Sequence, residues 1–171
     1  YESGEADIIE AEVSEYPRLK KDPALSKDVL VQEAPVLFYL GLNRIFPPFE
    51  DVRVRRAFAH AIDKEQIIRV ILTGLGKRAE GILPPGIPGY DPSLRGPEFS
   101  PEKAKALLAG AGYPGGKGFP ALTLTYGRRR ADSGRVCQVV ADMLKTNLGI
   151  PVGIEEMEWG SFLEQAQNSR L

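Results

Sequence analysis

The sequence predicts a single α/β domain: a mixed, partly parallel sheet with helices packed against it. Three observations carry this expectation. Residues 122–156 read as strand, helix, strand, an order that implies a parallel pair joined by a right-handed crossover. Asp51, Asp63 and Ser100 each stand as a capping residue before apolar positions at helical spacing. Val36–Leu42, VLFYLGL, is a near-continuous apolar run, the pattern of a strand buried on both faces. With 171 residues, 43% apolar and 26% charged, the chain is long enough for one sizeable core.

The elements follow in order. Ala6–Val13 reads as a strand with Ile8 and Val13 apolar, and Ser14–Leu25, interrupted by Pro17 and Pro23, as a short helix or irregular connector. Val29–Val31 is expected to be a short strand, followed by the central strand at Val36–Leu42. Pro47 and Pro48 end that run because neither supplies a ladder donor. Asp51 then caps a helix whose Val54, Phe58, Ala61 and Ile62 share one face. Asp63, with Gln66 three residues on, starts a second helix with Ile67, Ile68, Ile71 and Leu72 inward, closed by Gly74 and Gly76.

Residues 77–99 hold five prolines among several glycines and predict an ordered surface loop. Ser100-Pro101-Glu102 opens the next helix, with Ala104, Leu107, Leu108 and Ala111 buried. After a flexible Gly115–Gly118 turn, Leu122–Tyr126 alternates as a strand with one buried face. Val136, Val139, Val140, Met143 and Leu144 predict a strongly amphipathic helix ending at Gly149. Pro151–Glu156 is the second strand, with Val152 and Ile154 inward, and Glu158-Trp159 starts a last helix.

Composition narrows the function classes. A formal net charge of −1 gives no reason to expect a nucleic-acid partner. The lone Cys137 excludes an internal disulfide, and with one histidine, His60, no metal set is expected. Cys137 falls on an apolar stripe and reads as a structural thiol. No G-x-x-x-x-G-K-[ST] occurs, so no nucleotide or other cofactor is expected. Asp51 and Asp63 are occupied as caps, which leaves no nucleophile–base pair and argues against an enzyme.

A ligand-binding role has better candidates. Tyr126, Gly127 and Arg128 close the Leu122 strand and lead into Arg129 and Arg130. That arginine run is either a solvated loop or a cleft element meeting a ligand carboxylate in bidentate fashion. Gly127 and Gly41 permit close backbone approach. Asn43 either bridges backbone groups or contacts ligand, and Trp159 either packs in the core or stacks on a ligand side chain.

The stretch Asn43, Pro47-Pro48-Phe49, Asp51, Arg53-Val54-Arg55, Ala57-Phe58, Ala61-Ile62-Asp63-Lys64 and Ile67, followed by Gly81 and Pro84-Pro85-Gly86, resembles the signature region of extracellular solute-binding proteins of family 5. Further blocks resemble the family in the same order: Ala104-Lys105-Ala106-Leu107-Leu108 with Ala111-Gly112-Tyr113, then Leu148-Gly149-Ile150 and Glu158-Trp159 with Phe162-Leu163. These are the oligopeptide, dipeptide and nickel-binding receptors of bacterial ABC importers. The resemblance implies that residues 1–171 form the second, C-terminal lobe of a type II periplasmic-binding-protein-like receptor, cut from a longer chain at both ends. It implies a peptide or similar small solute held between two hinged lobes, a periplasmic or extracellular setting, and an ABC permease with separate ATPase subunits as partner. The family's acidic anchor for a peptide amino terminus lies beyond the position matching Leu171, so this lobe alone is expected to bind peptide weakly or not at all. A stand-alone α/β interaction module is the alternative.

Overall fold

The computed structural model describes residues 1–168. Its helices are α1 (Tyr16–Lys21), α2 (Val52–Ala61), α3 (Lys64–Val70), α4 (Pro101–Gly110), α5 (Ser133–Leu148) and α6 (Trp159–Gln167). Its strands are β1 (Leu122–Arg128) and β2 (Val152–Glu158). The strands pair in parallel, Leu122 opposite Val152 through Arg128 opposite Glu158, with α5 connecting them. One cluster of buried side chains unites α2, α4 and α5 beside this pair.

The caps anticipated from sequence are in place. Asp51 accepts from the Arg53 N–H at 2.7 Å, Asp63 from Gln66 N–H at 2.9 Å, and Ser100 from Lys103 N–H at 3.4 Å. Each satisfies an otherwise orphaned donor of a first helical turn. The second helix stops at Val70, short of its two glycines, and the chain leaves through Thr73 (φ 50°) and Gly74 (φ 82°). The Gly74 N–H returns to the Ile68 carbonyl at 2.9 Å.

The core is built on α2. Val54, Ala57, Phe58 and Ala61 are each at most 1% exposed. Phe58 meets Phe49 edge-to-face at 5.1 Å and 89°, and Phe119 lies 5.8 Å from it on another side. Ala104 and Leu108 of α4 and Val140, Leu144 and Leu148 of α5 complete the packing. Polar contacts lock the same helices together. Arg53 Nη1 donates to the Gly110 carbonyl at the end of α4 at 2.6 Å. Arg55 Nη1 donates to the carbonyls of Phe49 and Glu50 at 2.6 and 2.9 Å. Asn147 Nδ2 donates to the Ala61 carbonyl at 2.8 Å, closing the end of α2 from α5.

The Gly115–Gly118 turn is a close backbone crossing and not a loose spacer. A Cβ on Gly149 would stand 2.3 Å from the Gly115 carbonyl oxygen, and one on Gly116 would stand 2.5 Å from that of Gly149. The proline-rich loop is tied down by its own contacts, with Glu80 accepting from Gly96 N–H at 2.7 Å and Arg78 Nη2 donating to the Pro97 carbonyl at 3.2 Å.

Three expected strands are absent. Ala6–Val13, Val29–Val31 and Val36–Leu42 carry no strand, and Val13 opens a 3-10 turn. Many of their apolar side chains are open to solvent, Ile8 at 90% exposed, Leu30 at 86% and Tyr39 at 82%, whereas Leu42 packs against the core. A strand persists only with a ladder neighbour, and β1 and β2 pair with each other alone among the described residues. The sheet is therefore the parallel part of the one expected. Ile154 also differs: it is 38% exposed, whereas Val152, two residues earlier on the same strand, packs against the core.

Replacing Phe58 with Ala should cost about 3–5 kcal/mol of unfolding free energy, because it opens a cavity where α2, Phe49 and Phe119 meet. A drop in the urea midpoint with an unchanged slope checks this. The Arg53 side chain, then its backbone N–H, holds the Asp51 carboxyl below the usual carboxylate range. Its folded pKa is thus lower than its unfolded one. The stabilisation is complete above the ordinary carboxylate pKa and is lost as pH falls through the depressed value. Asp51→Asn should flatten that part of the acid limb in a pH series of urea melts.

Candidate functional site

Because β1 and β2 are parallel, their C-terminal ends coincide: Gly127 lies opposite Met157 and Arg128 opposite Glu158. In open α/β sheets this end, from which the connecting loops diverge, is where ligands bind. Four of the five residues singled out from sequence, Tyr126, Gly127, Arg128 and Trp159, fall at this end.

Local structure explains each position. Glu158 ends β2 and caps α6, accepting from Ser161 N–H at 3.1 Å. Backbone donors, Gly160 first and then Ser161, draw its carboxyl below the usual range. This cap fixes the entry of α6 and so the placement of Trp159. The indole stacks on Phe162, 5.7 Å between ring centroids and 24° between planes. Gly127 lies beneath both rings. A Cβ there would come within 2.6 Å of Trp159 Cε3 and 3.1 Å of the Phe162 ring. Gly127 does permit close approach, and an aromatic pair of the protein's own takes the space.

The arginines are not equivalent. Arg128 Nε sits 3.8 Å from Glu156 Oε1, with both side chains exposed, a pairing worth little in water. Arg130 Nε lies 3.1 Å from Asp132 Oδ1, and its guanidinium also covers the Phe38 ring at 5.0 Å. Arg129 has no carboxylate partner among the described residues; its guanidinium carbon lies 5.2 Å over the Trp159 ring. That stacking orients the planar fork while leaving its donors for an incoming anion. Tyr126 donates to Glu156 Oε2 at 2.7 Å, and this bond raises the phenol pKa, so the hydroxyl stays neutral.

The fifth residue, Asn43, serves its own turn: its Oδ1 accepts from Ile45 N–H at 3.0 Å. His60 is held by the Glu98 carbonyl, 2.7 Å from Nδ1. Cys137 is half-buried, and burial pushes its thiol pKa up. Phe38, Phe162, Glu156 and Asp132 were not singled out from sequence. Strand pairing brings Glu156 to this end and the return of the N-terminal segment brings Phe38, whereas Asp132 and Phe162 are local neighbours of Arg130 and Trp159. Phe162 alone carried a signal, standing three residues beyond Trp159 on one helix face.

This arrangement offers a cation over an aromatic face on the α6 side of the strand end, with a neutral phenol on the α5 side of the same end. It suits recognition of a solute bearing a carboxylate, and it contains no nucleophile paired with a base.

A family model described as bacterial extracellular solute-binding proteins, family 5 middle, matches residues 1–171. The dipeptide-binding protein of Escherichia coli is 32% identical over 169 residues, 93% of this chain and 30% of its own length. Heme-binding protein A of Haemophilus influenzae is 37% identical over 116 residues, 67% of this chain and 21% of its own. Among solved structures, the murein tripeptide binding protein of E. coli superposes with a TM-score of 0.85 at 28% identity, covering 100% of this chain and 34% of that one. The chain thus spans about a third or less of the proteins it matches.

Gly127→Ala should displace the Trp159 ring and destabilise the fold by about 1–3 kcal/mol, the range for an overpacked site. Near-ultraviolet circular dichroism of the chain's single tryptophan reads the displacement directly.

Proposed function

The chain belongs to family 5 of the bacterial extracellular solute-binding proteins, and we propose that residues 1–171 form the second lobe of a two-lobed ABC-importer receptor that captures oligopeptides or dipeptides. The observation that carries this reading is Arg129 held over Trp159 at the C-terminal end of the parallel pair, with no carboxylate partner among the described residues. Peptide-binding names among the relatives support the ligand class. The ligand lies between this lobe and the other one, and closure follows because bound solute interacts with the closed form more strongly than with the open one. The closed receptor delivers its solute, outside the cytoplasm, to a membrane permease whose ATPase subunits are separate chains.

Within this lobe Arg129 receives a ligand carboxylate. Its guanidinium is already oriented by Trp159, so little side-chain freedom is lost on binding. Tyr126 and the backbone around Arg128 supply polar contacts that do not depend on ligand sequence. The interaction-module alternative loses ground because the family match runs the whole chain and the relatives extend well beyond it. One observation favours a second ligand: the heme-binding relative. Haem carries propionate carboxylates that the same arginine would meet.

Calorimetry on the full-length receptor tests these readings with a dipeptide, an oligopeptide, the same peptides as C-terminal amides, and haem. Peptide is expected to bind and the amide to bind less well. Arg129→Ala is expected to weaken the free-acid peptide about 10- to 100-fold, the loss of one charge-assisted contact. Binding of haem alone would replace the peptide reading. Binding of neither would remove both.

A further inference from the structure

A small cavity lies where the proline-rich loop of residues 77–99 meets the turn between α2 and α3. Asp63, Lys64 and Glu65 line it from the turn, and Arg78, Pro97 and Phe99 from the two ends of the loop. Its volume is about 20 Å³. One water needs roughly 10–15 Å³, and a bound solute needs far more.

Two cations at this cavity are short of acceptors. Arg78 Nε is buried and has no hydrogen-bond partner. Glu80 Oε1 lies 3.4 Å from it, an ion-pair distance without a hydrogen bond. Both groups are held elsewhere: Arg78 Nη2 donates to the Pro97 carbonyl at 3.2 Å, and Glu80 Oε2 accepts from Gly96 N–H at 2.7 Å. Lys64 Nζ carries three donors but makes one long hydrogen bond among the described residues, 3.4 Å to the Ala79 carbonyl. Burial, and then the nearby Arg78 charge, lowers its ammonium pKa below the ordinary value. Donors left unsatisfied in this way are costly, and a water is the usual remedy.

Charge decides between a water and an anion. Lys64 and Arg78 stand beside three carboxylates, those of Asp63, Glu65 and Glu80. An anion would add to a group that is already net negative. A neutral acceptor adds no charge, and a water also returns two hydrogens to the carboxylates.

We propose that one ordered water occupies this cavity and clamps the proline-rich loop to the turn between α2 and α3. Its oxygen accepts from Arg78 Nε and Lys64 Nζ, and its hydrogens go to the lining carboxylates. Arg78 and Pro97 belong to opposite ends of the loop and are bonded to each other, so a single water anchors both ends at once. The clamp does not depend on what the strand-end site binds.

A high-resolution crystal structure of the full-length protein containing this chain, soaked in bromide, tests the occupant. Density for a water within hydrogen-bond reach of Arg78 Nε and Lys64 Nζ is expected, with no anomalous bromide signal there. A bromide peak would overturn the proposal and assign the cavity to an anion. An empty cavity, or Arg78 Nε bonded directly to Glu80, would overturn it too. Deuterium exchange tests the clamp. Lys64→Met should remove the water and speed exchange of the loop amides about tenfold, while amides of α5 keep their original rates. A water that survives this substitution, or loop exchange that does not change, would sink the clamp. Strand-end affinity is unaffected by either outcome, so failure here is distinguishable from failure of the receptor reading.

Discussion

Phe58 has to be buried against two other aromatic rings, and most of the chain is arranged to allow it. The ring packs with Phe49 and Phe119 in a triangle, and those two rings also meet each other at 6.2 Å. Phe49 reaches it from the 3-10 turn at Pro47–Glu50, and Phe119 from the segment leading into β1. Tyr113, at the end of α4, extends the cluster with its ring centroid 5.0 Å from that of Phe119. The aromatic packing therefore fixes three chain segments relative to α2. Arg53 and Arg55 flank the buried Val54 and spend their donors on the end of α4 and on the 3-10 turn. These bonds satisfy carbonyls at element ends, where the helix itself offers no partner.

That frame sets the position of β1, and β1 sets the candidate site. The Phe119 anchor and the packing of Leu122 and Leu124 against the core fix the strand. Parallel pairing with β2 then aligns Arg128 with Glu158. From there the site is built by short-range effects: a glutamate cap, an aromatic pair and a glycine that leaves room for it. The candidate surface thus stands on paired strands and a capped helix, the kind of support that recognition of a small solute calls for.

Much of this was legible in the sequence. The caps at Asp51, Asp63 and Ser100 were readable because an N-cap is a local interaction spanning two or three residues. The stripes on α2, α4 and α5 were readable from their period. The cluster of Tyr126, Gly127, Arg128 and Trp159 was readable because three are adjacent and the fourth starts the helix after the paired strand. Val36–Leu42 misled for a physical reason. An apolar run states that a segment needs burial but not which partner buries it, and no described residue pairs with it.

By itself the sequence determined where the helices begin, which of their faces are apolar, the strand–helix–strand order and the collinear motifs of the family. All of these depend on residues a few positions apart. The tertiary structure decided that Asn147 closes α2, that Gly127 yields its space to Trp159, and that Arg129 faces an indole while its neighbours face carboxylates. It also decided that the N-terminal apolar runs lie open instead of forming strands. The Asn147, Gly127 and Arg129 contacts each join segments distant along the chain. Side-chain geometry selects the partner in such cases, and periodicity carries no information about it.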